Sequence, residues 1–292
     1  MKLALGTAQF GLDYGISNLQ GQVSESELNK ILMLANEANI TTLDCASAYG
    51  DSEKILGESP HSQYFDIVTK IPTLQHNEPS LAPYFHKSLN SLNRSTIDTL
   101  LLHDVDTILQ HPNSDIFCHE LKQLKIQNKV NRIGVSVYTP KQIEQSIERL
   151  SIDVIQAPVN IFDQRISAKA VVTLLNQHNI KLHARSIFLQ GLILMEPDSW
   201  PERFSPYFRY LRKFDELSKH LQISKLTLAI AFLLKNSLIA PHLEKIVVGC
   251  CSATQLEQII QSYKQALILP LDKVDWRAFS CHKQALIDPS CW

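Results

Sequence analysis

The chain has 292 residues, 45% of them hydrophobic and 20% charged, with a formal net charge of −1. That length suffices for a sizeable core, and the near-neutral charge removes the electrostatic case for nucleic acid or an anionic membrane surface as a partner. The longest apolar runs, such as 226–234, fall far short of a membrane span.

The N-terminus leads straight into strand-like sequence and lacks the apolar run and cleavage site of a secretory leader. The cysteines are Cys45, Cys118, Cys250, Cys251, Cys281 and Cys291; none forms a C-x-x-C pair, and no histidine cluster supplies zinc spacing. These features predict reduced thiols in a cytoplasmic protein with no metal site.

Apolar strand-like runs alternate with helical patterns along the whole length. The first run is 3–7, and a helix follows from Ser24, whose Ser24-Glu25-Ser26-Glu27 reads as a capping signal. The second run, 41–44, ends on Asp44, and its helix starts near Ser52. The third, 66–70, ends on Lys70 and precedes a helix over 81–92. The fourth, 99–103, ends on His103, with a helix over 114–128. The fifth is 132–136, with a helix opened by Thr139-Pro140, where the fixed φ of proline suits the first turn. The sixth is 154–158, with a helix over 167–177. The seventh is 181–186, followed by an insertion, 187–205, and helices over 206–220 and 225–236. The eighth is 245–248, with a helix over 254–263. The tail, 272–292, carries Trp276, Phe279 and Trp292 and is expected to cover one end of the fold.

Eight strand-then-helix units with near-continuous apolar strands predict a parallel sheet buried on both faces. Eight is the number that closes a (β/α)8 TIM barrel, so the expectation is one α/β domain over 1–292, with extra helices after strand seven and at the C-terminus. The competing architecture is an open doubly wound sheet. It is disfavoured because Gly6-Thr7-Ala8-Gln9-Phe10-Gly11 lacks the G-x-G-x-x-G spacing.

In such a barrel, chemistry belongs at the C-terminal strand ends and the loops after them. Those positions hold Asp44 with Tyr49, Lys70, His103, Ser136, Gln156, Arg185 and Ser186. A phenol with an ordinary pKa of about 10 exchanges its proton poorly near neutrality. A neighbouring ammonium stabilises the phenolate, and a carboxylate keeps a buried ammonium charged. An imidazole beside the phenol can orient a carbonyl oxygen or pass the proton. Tyr49, Lys70, Asp44 and His103 thus make a set suited to moving a proton to or from an oxygen. Each residue alone also reads as an ordinary strand end, cap or packing residue. The residues by themselves therefore reach a barrel enzyme with proton chemistry and no further.

The segments that carry this set resemble the aldo-keto reductase family. The opening Leu5-Gly6-Thr7-Ala8-Gln9-Phe10-Gly11 is similar to that family's first strand and loop, and Asp44-Cys45-Ala46-Ser47-Ala48-Tyr49-Gly50-Asp51-Ser52-Glu53 resembles its signature. The segments ending in Lys70 and His103 resemble its lysine and histidine segments, and the likeness runs from residue 3 to about 260. The resemblance implies an oxidoreductase that reduces an aldehyde, ketone or sugar carbonyl with NADP(H), NAD(H) being the alternative. It implies Tyr49 as general acid, Lys70 as its activator, Asp44 as the partner of Lys70 and His103 as orienter or relay. The opening is similar to a bacterial branch associated with sugar and polysaccharide metabolism, which implies a carbohydrate. The expected partner is a small-molecule carbonyl, with no nucleic acid, no membrane, and a monomer or weak homo-oligomer.

For the nucleotide, the resemblance implies contacts from Thr7 and Ala8, from Ser136 and Gln156 to the carboxamide, and from Asn160 more weakly. Arg185 stands where the family often has a stacking tyrosine, followed by Ser186. Phe188, Gln190 and Gly191 resemble the pyrophosphate loop, whose backbone N–H groups suit phosphate. After strand eight the family holds the ribose 2′-phosphate with basic residues. Here Gly249, Ser252 and Gln255 occupy that stretch and none is basic. A phosphate dianion prefers guanidinium contacts, so a weakened preference for NADPH is expected, with the helix start at Ser252 as the remaining anion site. Tyr14, Gly15, Asn18, Asp13 and Gly21 are expected on one wall, and the 187–205 insertion, with Trp200, Phe204 and Tyr207, as a lid. Two other readings stand beside the enzyme: a non-catalytic, nucleotide-sensing barrel that acts through a protein partner, and an unrelated phosphate-binding barrel.

Overall fold

The computed structural model describes residues 1–292. Eight parallel strands close on themselves in sequence order. They are β1 (Leu3–Gly6), β2 (Thr42–Asp44), β3 (Asp66–Ile71), β4 (Ile97–Leu102), β5 (Val130–Ser136), β6 (Val154–Pro158), β7 (Lys181–Arg185) and β8 (Leu243–Val248). The ring closes through β1 and β8, with Leu3 opposite Ile246 and Leu5 opposite Val248. This is the (β/α)8 barrel expected from the eight-fold alternation, and it excludes the open doubly wound sheet.

The outer ring is α1 (Glu25–Glu37), α2 (Ser52–Glu58), α3 (Ala82–Ser91), α4 (Ser114–Ile126), α5 (Pro140–Arg149), α6 (Lys169–Gln177), α7 (Phe208–Leu221), α8 (Lys225–Lys235) and α9 (Ala253–Ile268). Local signals start several of them. Ser24 accepts from the Glu27 amide at α1, and Thr139 and Gln142 form a reciprocal capping box at α5. Two short helices, Ala8–Gly11 and Val105–Leu109, occupy segments whose sequence predicts loop. Each has only four or five residues, too few for a helical period to register.

Strand alternation builds the interior in layers. Lys70 and Arg185 stand next to or at their strand ends, His103 just past its own, and Gln156 in the middle of β6. Two residues earlier on those strands lie Val68, Leu101, Val154 and His183, the next inward positions. Val68, Leu101 and Val154 pack as a small apolar cluster apart from the main core. The main core lies outside the barrel, where Leu100, Leu102, Val135 and Ile155 meet the helices. The barrel is thus filled by side chains, and the polar set rests on a floor that is apolar except for His183.

The insertion after β7 and the C-terminal tail meet over one end. Phe204 packs edge-on against Trp292 with ring centroids 4.8 Å apart, and Trp200 packs at a tilt against Phe208 at 5.2 Å. Both Trp200 and Phe204 are buried. The tail itself is held by Cys281 N–H donating to Phe162 O at 2.8 Å and by the Gln164 amide donating to Trp276 O at 2.7 Å. No helix is long and apolar enough to cross a membrane.

Candidate active site

Asp44, Lys70, Tyr49 and His103 come together at the C-terminal end of the barrel. Lys70 Nζ donates to Asp44 Oδ2 at 2.9 Å and to the Cys45 carbonyl at 2.6 Å, and both side chains are almost wholly buried. The other oxygen of Asp44 accepts from Gln156 Nε2 at 2.7 Å. The ammonium lies 4.9 Å from the centroid of the Tyr49 ring. His103 meets that ring edge to face, with centroids 5.9 Å apart and planes at 89°.

The electrostatics follow from burial and these neighbours. Burial pulls the Lys70 pKa down, but Asp44 and Tyr49 outweigh it and hold it above the ordinary lysine value. Burial is the largest influence on Tyr49 and raises its pKa, against the pull of Lys70. The direction exerted by Lys70 is the expected one, but desolvation prevails, so the resting phenol holds its proton. Burial, reinforced by the positive charges of Lys70 and Arg185, pushes His103 down to about 4. The imidazole is therefore neutral at neutral pH.

The 44–53 segment also explains its own small residues. Ser52 Oγ donates to Thr7 O at 2.9 Å and Thr7 Oγ1 at 2.7 Å, while Thr7 N–H donates to Asp44 O at 3.1 Å. Glu53 is buried and accepts from Thr69 Oγ1 at 2.5 Å. Gly11 lies against the turn after Tyr49: a Cβ there would come 1.9 Å from Tyr49 O, and Gly50 holds φ +56. The first loop and the tyrosine loop are thus a single locked unit, which fixes where the phenol points.

A cavity of about 750 Å³ opens from this cluster, within the usual size range for small-molecule sites. Asp44, Tyr49, His103, Thr7, Ala8, Ser136, Gln156, Arg185 and Ser186 line its inner part. Phe188, Gln190, Gly191, Gly249 and Gln255 line its outer arm. Lys70 lies beneath the surface, reached only through its neighbours. Of the expected first-loop wall, Tyr14, Gly15 and Asn18 face the cavity, whereas Asp13 and Gly21 do not. Trp200, Phe204 and Tyr207 do not face it either. Their apolar area belongs to the seam between insertion and tail, and the cavity-facing part of the insertion is Ile187, Phe188, Gln190, Gly191 and Leu194. The sequence reading missed Ser17, Leu19, Gln20, Leu226, Gln258, Pro289 and Ser290, which also line the cavity. They lie in loops, helix faces and the tail, where no local pattern marks a cavity wall.

Two loops touch across the outer arm. Ser17 Oγ donates to Gln190 O at 3.0 Å. Gly191 holds φ +91, and a Cβ on it would fall 1.9 Å from Ser17 Oγ. Farther along the same insertion, Lys225 donates to Met195 O at 2.7 Å and Glu196 at 3.1 Å, anchoring the loop's distal end.

The arrangement of strand ends, signature segment and cavity matches a known family. The aldo/keto reductase family profile covers residues 2–279. The chain belongs to the aldo/keto reductase family. Among solved structures, it is similar to the aldo-keto reductase AKR11C1 from Bacillus halodurans in its holo form, with 18% identity, 97% of this chain and 94% of that one covered, and a TM-score of 0.77. It is also similar to the glycerol dehydrogenase AKR11B4 from Gluconobacter oxydans, with 22% identity, 99% and 92% coverage and a TM-score of 0.72. At these identities the structural likeness speaks to the fold. No curated protein matches the chain by sequence. Family membership makes the protein an oxidoreductase.

Aldo/keto reductases generally use a nicotinamide nucleotide, and the cavity can be tested against one. At the inner end the fit is good. Gln156 is fully buried, its amide is fixed by Asp44, and its Oε1 has no partner. A buried carbonyl oxygen left without a donor is costly, and the N–H of a carboxamide would satisfy it. Asn160 does not line the cavity: its Oδ1 accepts from the Phe162 and Asp163 amides and its Nδ2 donates to Ser186 O. It holds a turn.

The start of α9 does not fit a 2′-phosphate. Ser252 does not line the cavity, and its Oγ accepts from Gln255 N–H at 3.2 Å. Gln255 Oε1 takes the Cys251 amide at 2.7 Å, and Glu27 Oε1 from α1 takes the Ala253 amide at 2.7 Å. The Ala253 amide, followed by Lys30, holds the Glu27 carboxyl below its usual range. The expected anion site at this helix start is therefore already filled, and by a carboxylate.

Proposed function

We propose that the protein is a nicotinamide-nucleotide-dependent oxidoreductase that interconverts a carbonyl and an alcohol, with Tyr49 as the general acid toward the carbonyl oxygen. The observation that carries this reading is the buried Lys70–Asp44 pair set beneath a cavity-facing tyrosine, with a neutral histidine against the same ring. The nucleotide, when bound, supplies or accepts the hydride. Gln156 and Ser136 would hold its carboxamide, Thr7 and Ala8 would border it, and Gln190, Gly191 and Gly249 would line its phosphate arm.

The chain's own residues handle the proton. Burial keeps Tyr49 protonated at rest, so the phenol is ready to donate. Lys70 favours the phenolate that forms as the proton leaves, and Asp44 keeps Lys70 charged so that it can do so. His103, neutral over the physiological range, hydrogen-bonds the same oxygen and fixes the carbonyl's direction.

The filled start of α9 supports a dinucleotide without the 2′-phosphate. Glu27 would repel that group, and the ammonium beside it, Lys30, is already paired with Glu27 at 3.1 Å. Purified protein is incubated with 4-nitrobenzaldehyde and either NADH or NADPH, followed at 340 nm, and compared with Tyr49→Phe. The expected result is turnover in the native protein and a loss of roughly 10²–10⁴-fold in kcat for the variant. Equal turnover by Tyr49→Phe would sink the assignment. Fluorescence titrations of both nucleotides test the second part, where a thousand-fold preference for NADPH would overturn it.

A further inference from the structure

We propose that Arg185 selects a carbonyl substrate that carries a carboxylate, so that the physiological substrate is an oxo-acid or formyl-acid. This rests on the oxidoreductase reading above and names the substrate class of the same site.

Among the residues that line the cavity, only Asp44 and Arg185 bear a full charge. The charge of Asp44 is answered by Lys70 at 2.9 Å, and its second oxygen is taken by Gln156. His103 is neutral, its pKa pushed down to about 4 by burial and by the positive charges of Lys70 and Arg185. What remains is one unanswered positive charge at the end of β7, on the wall of the cavity.

The contacts of Arg185 are too few for its donors. A guanidinium has five N–H groups in a rigid fork. Here Nη1 reaches Ser186 Oγ at 3.4 Å and Nη2 reaches Val137 O at 3.5 Å, both at the limit of hydrogen bonding. No carboxylate pairs with it, whereas Arg132, Arg149 and Arg165 each have one within 2.9 Å. The Tyr138 ring lies 4.3 Å from the guanidinium carbon and fixes the plane of the fork without using its edge. A pre-oriented, half-buried fork with free edge donors is matched by a planar, bidentate oxyanion. The pull that Arg185 exerts on Tyr49 and His103 places it within electrostatic range of the site where the carbonyl oxygen would sit. A substrate with a carbonyl at one end and a carboxylate at the other spans the two.

Matched pairs of substrates test this with the nucleotide-saturated protein: 4-carboxybenzaldehyde against methyl 4-formylbenzoate, and succinic semialdehyde against its methyl ester. The native protein is expected to favour the acid over the ester at least tenfold in kcat/KM. Arg185→Gln should erase that preference and Arg185→Lys should keep part of it. Binding of 4-(hydroxymethyl)benzoate, measured calorimetrically, should weaken at least tenfold in Arg185→Gln, and nucleotide affinity is titrated separately in each variant. No acid preference in the native protein, or one that survives Arg185→Gln, overturns the proposal. So does an Arg185→Gln variant that loses nucleotide affinity while its acid-to-ester ratio is unchanged, because the guanidinium then serves the nucleotide. Failure of the oxidoreductase reading shows differently: no turnover of any carbonyl, while Arg185-dependent carboxylate binding is still measurable.

Discussion

The two ends of the barrel carry similar residue types and use them differently. At the strand starts, Arg132 donates to Asp98 at 2.9 Å and to Glu244 at 2.6 Å, and His183 meets the same Glu244 oxygen at 2.9 Å. At the strand ends, Asp44, His103 and Arg185 line the cavity, with Lys70 buried beneath them. Both ends thus combine cations, carboxylates and a histidine. Within this Arg132–Asp98–Glu244–His183 network each carboxylate and the guanidinium has a partner, and the one loose atom is His183 Nδ1. At the strand ends the loose groups face the cavity: Gln156 Oε1 without a donor, and Arg185 with two marginal acceptors. A saturated network ties strands together. An unsaturated one, held rigid by buried pairs, is prepared to bind.

The largest effect that would sharpen this contrast is expected from Lys70→Met. It leaves the Asp44 carboxylate buried with only Gln156, and removing one partner of a buried pair costs about 3–5 kcal/mol. Urea unfolding should show that loss, and kcat should fall by at least ~10²-fold because the phenolate loses its counter-charge. If kcat holds while stability drops, the pair is structural only and the two ends do not differ in kind.

A smaller effect is expected at the opposite end. Glu244 is about a third exposed, and its carboxyl is held at about 2, chiefly by the hydrogen bond from His183 and then by Arg132. Its folded-state pKa lies below the unfolded value, so its stabilisation is present above about pH 4.5 and drains away as pH falls toward 2. Glu244→Gln should cost about 1–2 kcal/mol at pH 7, reduced by solvent screening. It should also flatten the acid limb of stability against pH and leave kcat within about twofold of native. An unchanged acid limb would show that other carboxylates govern it.

The unevenness of what the sequence reveals follows the same division. Strand ends are legible because strand period fixes which residues face inward, and Asp44, Lys70 and His103 are each two residues from, or adjacent to, a marked apolar run. The Tyr49 loop is legible because Gly11, Gly50, Ser52 and Glu53 are each demanded by close approach or by a buried hydrogen bond. Glu27 is not legible as a group that fills the start of α9. It belongs to another helix 226 residues away in the chain and looks like an ordinary first-turn acid. The same holds for Ser290 at the rim and for Trp200 and Phe204, whose aromatic character suggested a lid when their partners are the tail and α7. Contacts between distant loops carry no period, so only the folded chain discloses them.

The smallest effect concerns how the cavity is closed. Ser17 and Gln190 join the first loop to the insertion through one exposed hydrogen bond, with a net worth of about 0.5–1.5 kcal/mol. Ser17→Ala removes that bond, so stability in urea should fall by no more than about that amount. The rate of nucleotide release, measured by stopped-flow fluorescence, should rise about two- to tenfold, the factor that such a bond represents. Gly191 sharpens the test. At φ +91, with Ser17 Oγ where a Cβ would lie, Gly191→Ala must move the whole crossing and should exceed Ser17→Ala in its effect on release. Were Ser17→Ala to leave release unchanged while Gly191→Ala accelerates it, the backbone of the insertion, and not its bond to the first loop, would set how long the nucleotide stays.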